Sequence, residues 1–159
     1  MTDKHPGIDD NSKKALADAL NGILADSYAL YLKTKNFHWH MHGPHFRDYH
    51  LLLDEQAAEI HGTTDAIAER VRKIGLKTLT SIASISKHQS IKDSDETDIP
   101  AEKMLDLLRL DNLAYVAKLK EAKELCEETG DNATDGLIDD WTDMAEERAW
   151  FLASTLEKN

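Results

Sequence analysis

The sequence predicts an all-α protein: a four-helix bundle with one long crossover that carries a short extra helix between the second and third helices. Three observations lead there. Apolar residues recur at three- and four-residue spacing over long stretches. Glycine (7) and proline (3) are scarce among 159 residues, and Pro6-Gly7, Gly43-Pro44, Gly75, Pro100 and Gly130 sit where punctuation is needed. The connections between the periodic stretches are unequal: one tight hairpin, one crossover of about 25 residues and one short turn, as in bundles with a single long connection.

The first helix is expected from an N-cap at Asn11 or Ser12 to about Met41, with Leu16, Leu20, Ile23, Ser27, Leu30, Thr34 and Phe37 on its inner face. The second starts close to Pro44, runs through Phe46, Leu53, Ile60, Ile67 and Ile74, and stops at Gly75, a residue suited to a helix C-terminus. Thr80 to Ser86 is read as a short helix, followed by an acidic loop from Lys92 to Asp98. The third helix follows Pro100 through Met104, Leu108, Tyr115, Leu119 and Cys126 to the Thr129-Gly130 break. The fourth carries Leu137, Trp141, Ala145, Phe151 and Leu152 to the C-terminus, and Trp141 and Trp150 are expected to serve packing. One domain spans 1-159, with 1-11 as a flexible N-terminal segment.

Composition removes several functions. The formal net charge of −11, from 30 acidic and 19 basic residues, argues against a sequence-independent grip on nucleic acid or anionic lipid, and favours cations. A single cysteine, Cys126, excludes an intrachain disulfide framework or a cysteine zinc module, fits a reducing cytosol, and is expected to be a small core residue. No apolar run approaches a membrane span and the start lacks the apolar stretch of a signal peptide, so a cytoplasmic location is expected. The methionines show no haem-ligand pattern, and no nucleotide is expected. Periodicity alone does not separate a metal-handling bundle from a cytokine-like or purely structural one.

Polar residues on helix faces make that separation. Five of eight histidines lie between His38 and His50. On the second helix, with His50 at zero, Asp54 falls at about 40°, Asp65 at about 60° and Glu69 at about 100°, so the four share one stripe. The two pairs stand eleven residues apart, about 16 Å along a helix, while a metal–ligand bond is about 2 Å. One helix cannot close one site with both. A two-fold dimer with antiparallel copies of this helix can, because the index pairs 50/69 and 54/65 share one sum, 119, which sets an axis beside Glu59 and Ile60. His38 and His50 straddle the hairpin near residue 44 and can face each other within one chain. The expected site is therefore His38, His50 and Asp54 of one chain with Asp65 and Glu69 of a second copy. Two imidazoles and three carboxylates suit iron(II), with zinc or manganese as competitors. No histidine has a glutamate three residues before it, so the Glu-x-x-His pairs that build a di-iron site inside one bundle are absent. His61, on the same stripe, is read as an interface histidine, or as a supporting or extra ligand.

Lys35 to Phe46, Tyr49 to Glu55 and Asp65 to Arg70 resemble the signature of the Dps family of mini-ferritins (DNA-binding protein from starved cells), with ligand intervals of 12, 4, 11 and 4 all matching. The resemblance extends to Asp111-Asn112 and to Glu146 through Leu152. It implies a ferritin-like bundle assembled as a hollow dodecamer, with ferroxidase centres at two-fold interfaces. There, iron(II) is oxidised, preferentially by hydrogen peroxide or else by oxygen, and the ferric mineral is stored, protecting against oxidative damage. It also implies that Trp39 stands beside the centre, that Lys35 pairs with a carboxylate near it, and that His40, His42 and His45 are not ligands.

Two departures stand out. Family members that condense DNA usually do so through a lysine-rich tail, whereas residues 1–11 hold Lys4 against Asp3, Asp9 and Asp10, the C-terminus offers Lys158 beside Glu157, and Lys13-Lys14 is a small patch. A nucleoid-protecting role with secondary iron chemistry is the alternative function. After the third helix, Thr134-Asp135-Gly136-Leu137-Ile138 shifts the family's acid by one position. Asp131, Asp135, Asp139 and Asp140 are expected either to line three-fold pores, focusing iron(II), or to complement the dipole of the fourth helix.

Overall fold

A computed structural model describes residues 7–158. Among them are five helices and no strand: α1 (Asp10–His40), α2 (Phe46–Ile74), α3 (Ile82–His88), α4 (Ala101–Thr129) and α5 (Asn132–Leu156). The four long helices form the bundle and α3 rides on the crossover, packing against α1. This is the ferritin-like arrangement expected from the connection lengths.

Asp9 caps α1, its carboxylate accepting from the Ser12 backbone N–H at 2.9 Å. The cap therefore precedes the expected Asn11 or Ser12, because a carboxylate three residues before Ser12 takes the orphan donor. Of the N-terminal segment expected to be flexible, residues 1–6, including Lys4, lie outside the described residues. Ile8 is buried and Asp10-Asn11 form the first turn of α1. Gly43, at φ +127°, turns the hairpin. The Phe46 N–H bonds the Gly43 carbonyl at 3.1 Å, which sets the start of α2 beyond Pro44. Gly75 (φ +108°) and Gly130 (φ +76°) end α2 and α4 in left-handed backbone that a Cβ disfavours. A Ser81/Ser84 capping box starts α3 two residues later than expected.

The inner face of α1 is as expected, Ser27 and Thr34 included, each hydroxyl returning to the carbonyl four residues back. Leu53, Ile60, Ile67 and Ile74 are fully buried on α2, and Met104, Leu108, Tyr115, Leu119 and Cys126 on α4. Burial pushes the Cys126 thiol up to about 12, an inert core group. Three aromatic expectations fail: Phe46, Trp150 and Phe151 are exposed in the single chain, whereas Trp141 is buried. Trp150 and Phe151 lie beyond the α5 stripe formed by Trp141, Ala145, Ala149 and Leu152.

Two buried charges of α1 pin the crossover. Asp26 accepts from the Ser90 N–H and hydroxyl, both at 2.6 Å, and from the Ile91 N–H at 2.9 Å. Lys33 donates to the Lys92 carbonyl at 2.9 Å and pairs with Asp111 of α4 at 2.8 Å. A long loop carries many backbone donors, and buried side chains with a fixed charge satisfy them while fixing its path.

Candidate metal centre

The hairpin brings His38 and His50 face to face, with ring centroids 3.8 Å apart and planes 11° from parallel. Nδ1 of His38 bonds the His50 carbonyl at 2.6 Å, and Nδ1 of His50 bonds the His38 carbonyl at 2.7 Å. A carbonyl oxygen only accepts, so each Nδ1 carries a proton, and in its neutral form each ring has its lone pair on Nε2. The backbone thus sets the tautomer that a metal needs. Phe46 stacks on His50 at 4.9 Å and covers its outer side.

Asp54 stands one turn along α2. Its Oδ1 lies 3.7 Å from Nε2 of His38 and 2.8 Å from Nζ of Lys35. The Lys35 hydrogen bond, and then its charge, hold the Asp54 carboxyl below its ordinary range, with smaller help from His38 and His50. The same ammonium lies 5.8 Å from the ring centre of Trp39, which is exposed. Within one chain, the structure therefore brings together His38, His50, Asp54, Lys35 and Trp39.

It does not bring in the other two carboxylates. Asp65 and Glu69 are exposed on α2, eleven residues beyond His50-Asp54 in helical spacing, about 16 Å along the axis. Among the described residues of the single chain, no three His, Cys, Asp or Glu side chains converge on one metal position. The outer face of α2 that carries both pairs is open at Ala58, His61 and Gly62. Those residues occupy the midpoint of the register, rather than Glu59 and Ile60: Ile60 is buried in its own core and Glu59 pairs with Arg148 at 2.6 Å. The His61 ring lies 5.0 Å from that of Tyr31 and 6.4 Å from that of Tyr28. His40 bonds Asn36, His42 bonds Asp98 at 3.1 Å and His45 lies against Tyr49, so none of the three joins the His38–His50 pair.

The acids at the α4–α5 turn divide. Asp131 is 2% exposed, caps α5 by accepting from the Thr134 N–H and hydroxyl, and pairs with the buried Arg70 of α2 at 3.1 Å. A carboxylate enclosed in this way cannot line a pore, so the dipole-complementing reading holds for it. Asp135 and Asp139 both hold Lys123, at 2.6 and 2.7 Å, and their hydrogen bonds raise its pKa. Asp140 is exposed.

Sequence reasoning missed the polar residues inside the bundle, above all Arg148 with Glu59 and Asn112. The available signal was a charge in an apolar stripe: Arg148 stands three residues after Ala145 and four before Leu152, both buried.

Comparison with known proteins defines the class. A model of the ferritin-like domain matches residues 17–159. Antigen TpF1 of Treponema pallidum is 30% identical over 96% of this chain and 86% of its own length. Its crystal structure superposes with a TM-score of 0.92, covering 97% of this chain and 99% of that one. The DNA protection during starvation protein of Brevibacillus brevis is 32% identical over 91% of this chain and 97% of its own. A Dps protein from Vibrio cholerae, described as a member of a broad superfamily of ferritin-like diiron-carboxylate proteins, is 25% identical with a TM-score of 0.91, covering 99% of each chain. The chain belongs to the Dps family.

Proposed function

We propose that the protein oxidises iron(II) at sites shared between two subunits and stores the ferric product inside a hollow dodecamer. The reading rests on one observation above all: a half-site of His38 from α1 with His50 and Asp54 from α2, buried at His38 and open at Asp54, adjoins the face of α2 that carries Asp65 and Glu69. Antiparallel pairing of two α2 helices sets the partner subunit's Asp65 and Glu69 against that half-site, twice per dimer. Ala58 and Gly62 at the midpoint permit close approach. A Cβ on Gly62 would meet nothing within 4 Å in its own subunit, so the open space there is available to a neighbour.

Each group has a task. The two Nε2 lone pairs fix the position of iron(II), and three carboxylates compensate the charge that grows as it is oxidised. Lys35 is the counter-ion of Asp54 until a cation takes its place. Two iron(II) ions supply the two electrons that reduce one hydrogen peroxide, with two protons, to two waters. Oxygen is the alternative oxidant. Pairwise delivery of electrons avoids releasing a hydroxyl radical, which is how such a protein protects against oxidative damage. Twelve chains carry a formal charge of about −130, a field that draws cations. Asp135, Asp139 and Asp140 are the acids left for entry pores, the first two shared with Lys123.

DNA protection through direct binding is the second reading, favoured by the names of relatives such as the Brevibacillus brevis protein. The chain's charge opposes it. Of the Lys13-Lys14 patch, Lys13 is buried and Lys14 lies 3.9 Å from Asp18. No described helix is long and apolar enough to cross a membrane. We place the protein in the cytoplasm.

Stopped-flow iron oxidation tests the reading. Assembled His38→Ala, His50→Ala and Asp65→Asn variants should each lose the fast phase, and a wild-type rate in any of them sinks the site. Sedimentation should give roughly twelve times the 17.9 kDa chain. A stable monomer would rule out shared sites.

A further inference from the structure

Three ligand-type residues stand one turn apart on the open face of α2: His61, Asp65 and Glu69. All three are exposed, and among the described residues none of their side chains takes a hydrogen bond or an ion pair. Asp65 and Glu69 belong to the five expected ligands, and His61 stands outside them. Its ring is nevertheless held in place. It lies 5.0 Å from that of Tyr31, tilted by 45°, and 6.4 Å edge-on from that of Tyr28, two half-buried rings of α1. The edge of α2 that turns toward α1 therefore carries, in order, His50 against His38, Asp54 against Lys35 and His61 against the two tyrosines. His61 continues the row of the half-site.

Antiparallel pairing of two α2 helices gives that row a use. The index sum of 119 sets Asp65 level with the partner subunit's Asp54, and His61 level with the partner subunit's Ala58, whose methyl group leaves room for an imidazole. His61 and Asp65 are i,i+4 neighbours, with Cβ atoms about 5–6 Å apart, a spacing at which two side chains of one helix can share a metal ion. We infer that His61, Asp65 and the partner subunit's Asp54 hold a further divalent metal ion, beside the one held at the partner subunit's His38 and His50. The two positions stand one turn of helix apart, about 6 Å along the axis. One imidazole and two carboxylates neutralise a dication and suit iron(II) or cobalt(II). This rests on the shared-site reading and deepens it, because both ions of a pair that supplies two electrons then have a place.

Cobalt(II) counts the positions without oxidation. A dimer has two shared sites, so the assembled full-length protein, stripped of metal, should bind two cobalt(II) ions per chain in equilibrium dialysis and calorimetry. His61→Phe keeps a ring against Tyr28 and Tyr31 but has no lone pair, and should bind one. Its affinity for the second ion should fall by about tenfold or more, the cost of losing even a supporting residue at a metal site. His61→Leu, with no ring, is a second variant without a ligand atom should the phenyl group disturb assembly. His38→Ala should do the reverse, weakening the first position and keeping the second. The His61 position is overturned if the wild-type protein binds a single ion per chain, or if either His61 variant, once assembled, binds two ions with wild-type affinities. The shared-site reading fails separately, if His38→Ala and Asp65→Asn both bind cobalt(II) as the wild type does. A loss in those two with none in the His61 variants overturns the His61 position alone.

Discussion

Replacing Asp131 decides whether the acid at the α4–α5 turn serves the fold or the traffic of iron. Asp131→Asn keeps an N-cap acceptor, since asparagine caps about as well as aspartate, but removes the negative charge facing Arg70. Arg70 is itself 8% exposed, so its guanidinium would remain buried without that partner. Removing one member of a buried pair costs about 3–5 kcal/mol. Because Arg70 also donates to the Thr134 hydroxyl at 2.7 Å, the lower end, about 3 kcal/mol, is expected. For a chain of this size that lowers the melting temperature by about 6–12 °C. Asp131→Ala also loses the cap and should fall by about a further 1 kcal/mol. Asp140→Asn, on the exposed side of α5, should stay within about 0.5 kcal/mol of the wild type. Thermal unfolding followed by circular dichroism reads all three. An Asp131→Asn protein that melts with the wild type yet takes up iron more slowly would refute the internal role and return Asp131 to the pore.

Other perturbations address other parts. Lys35→Met should let the Asp54 carboxyl rise toward the ordinary range in a carboxylate NMR titration. The pair's support is present above the ordinary carboxylate pKa and is lost as pH falls through the lowered value, so the variant should be insensitive to pH in that window. Gly130→Ala places a Cβ at φ +76° and should cost about 1 kcal/mol, seen as a fall of about 2–4 °C in melting temperature. In a gel-shift assay the assembled protein should not retard duplex DNA at about 0.15 M salt, because its exposed lysines are scattered among a larger number of acids and the chain's net charge of −11 repels phosphates. Retardation that persists there would revive direct DNA protection.

Much of this molecule is legible in its sequence because the helices are long and amphipathic. Their inner faces follow from spacing alone, even at Ser27 and Thr34, where a hydroxyl can bond its own helix. Gly75 and Gly130 mark ends because a left-handed residue is needed there. The His38–His50 pairing follows from the hairpin position. What escaped depends on partners far along the chain. Asp131 looks like any surface acid until Arg70, sixty-one residues away, is packed over it. Arg148 and Glu59 are eighty-nine residues apart, and no local pattern announces that they meet. The index sum points to Glu59 and Ile60, which face the bundle, because a register gives a height on a helix and not the side that remains open. Trp150 and Phe151, exposed here, show the same limit.

Mixing two inactive variants tests the shared site most directly. Chains carrying Asp54→Asn retain Asp65 and Glu69, while chains carrying Asp65→Asn retain His38, His50 and Asp54. When equal amounts are unfolded and reassembled together, half of the dimer contacts are mixed and each mixed contact has one intact site, giving about one quarter of the wild-type oxidation rate. Each variant alone should show only the slow background. A mixture no faster than its components, in oligomers shown to contain both chains, would contradict a site built across two subunits.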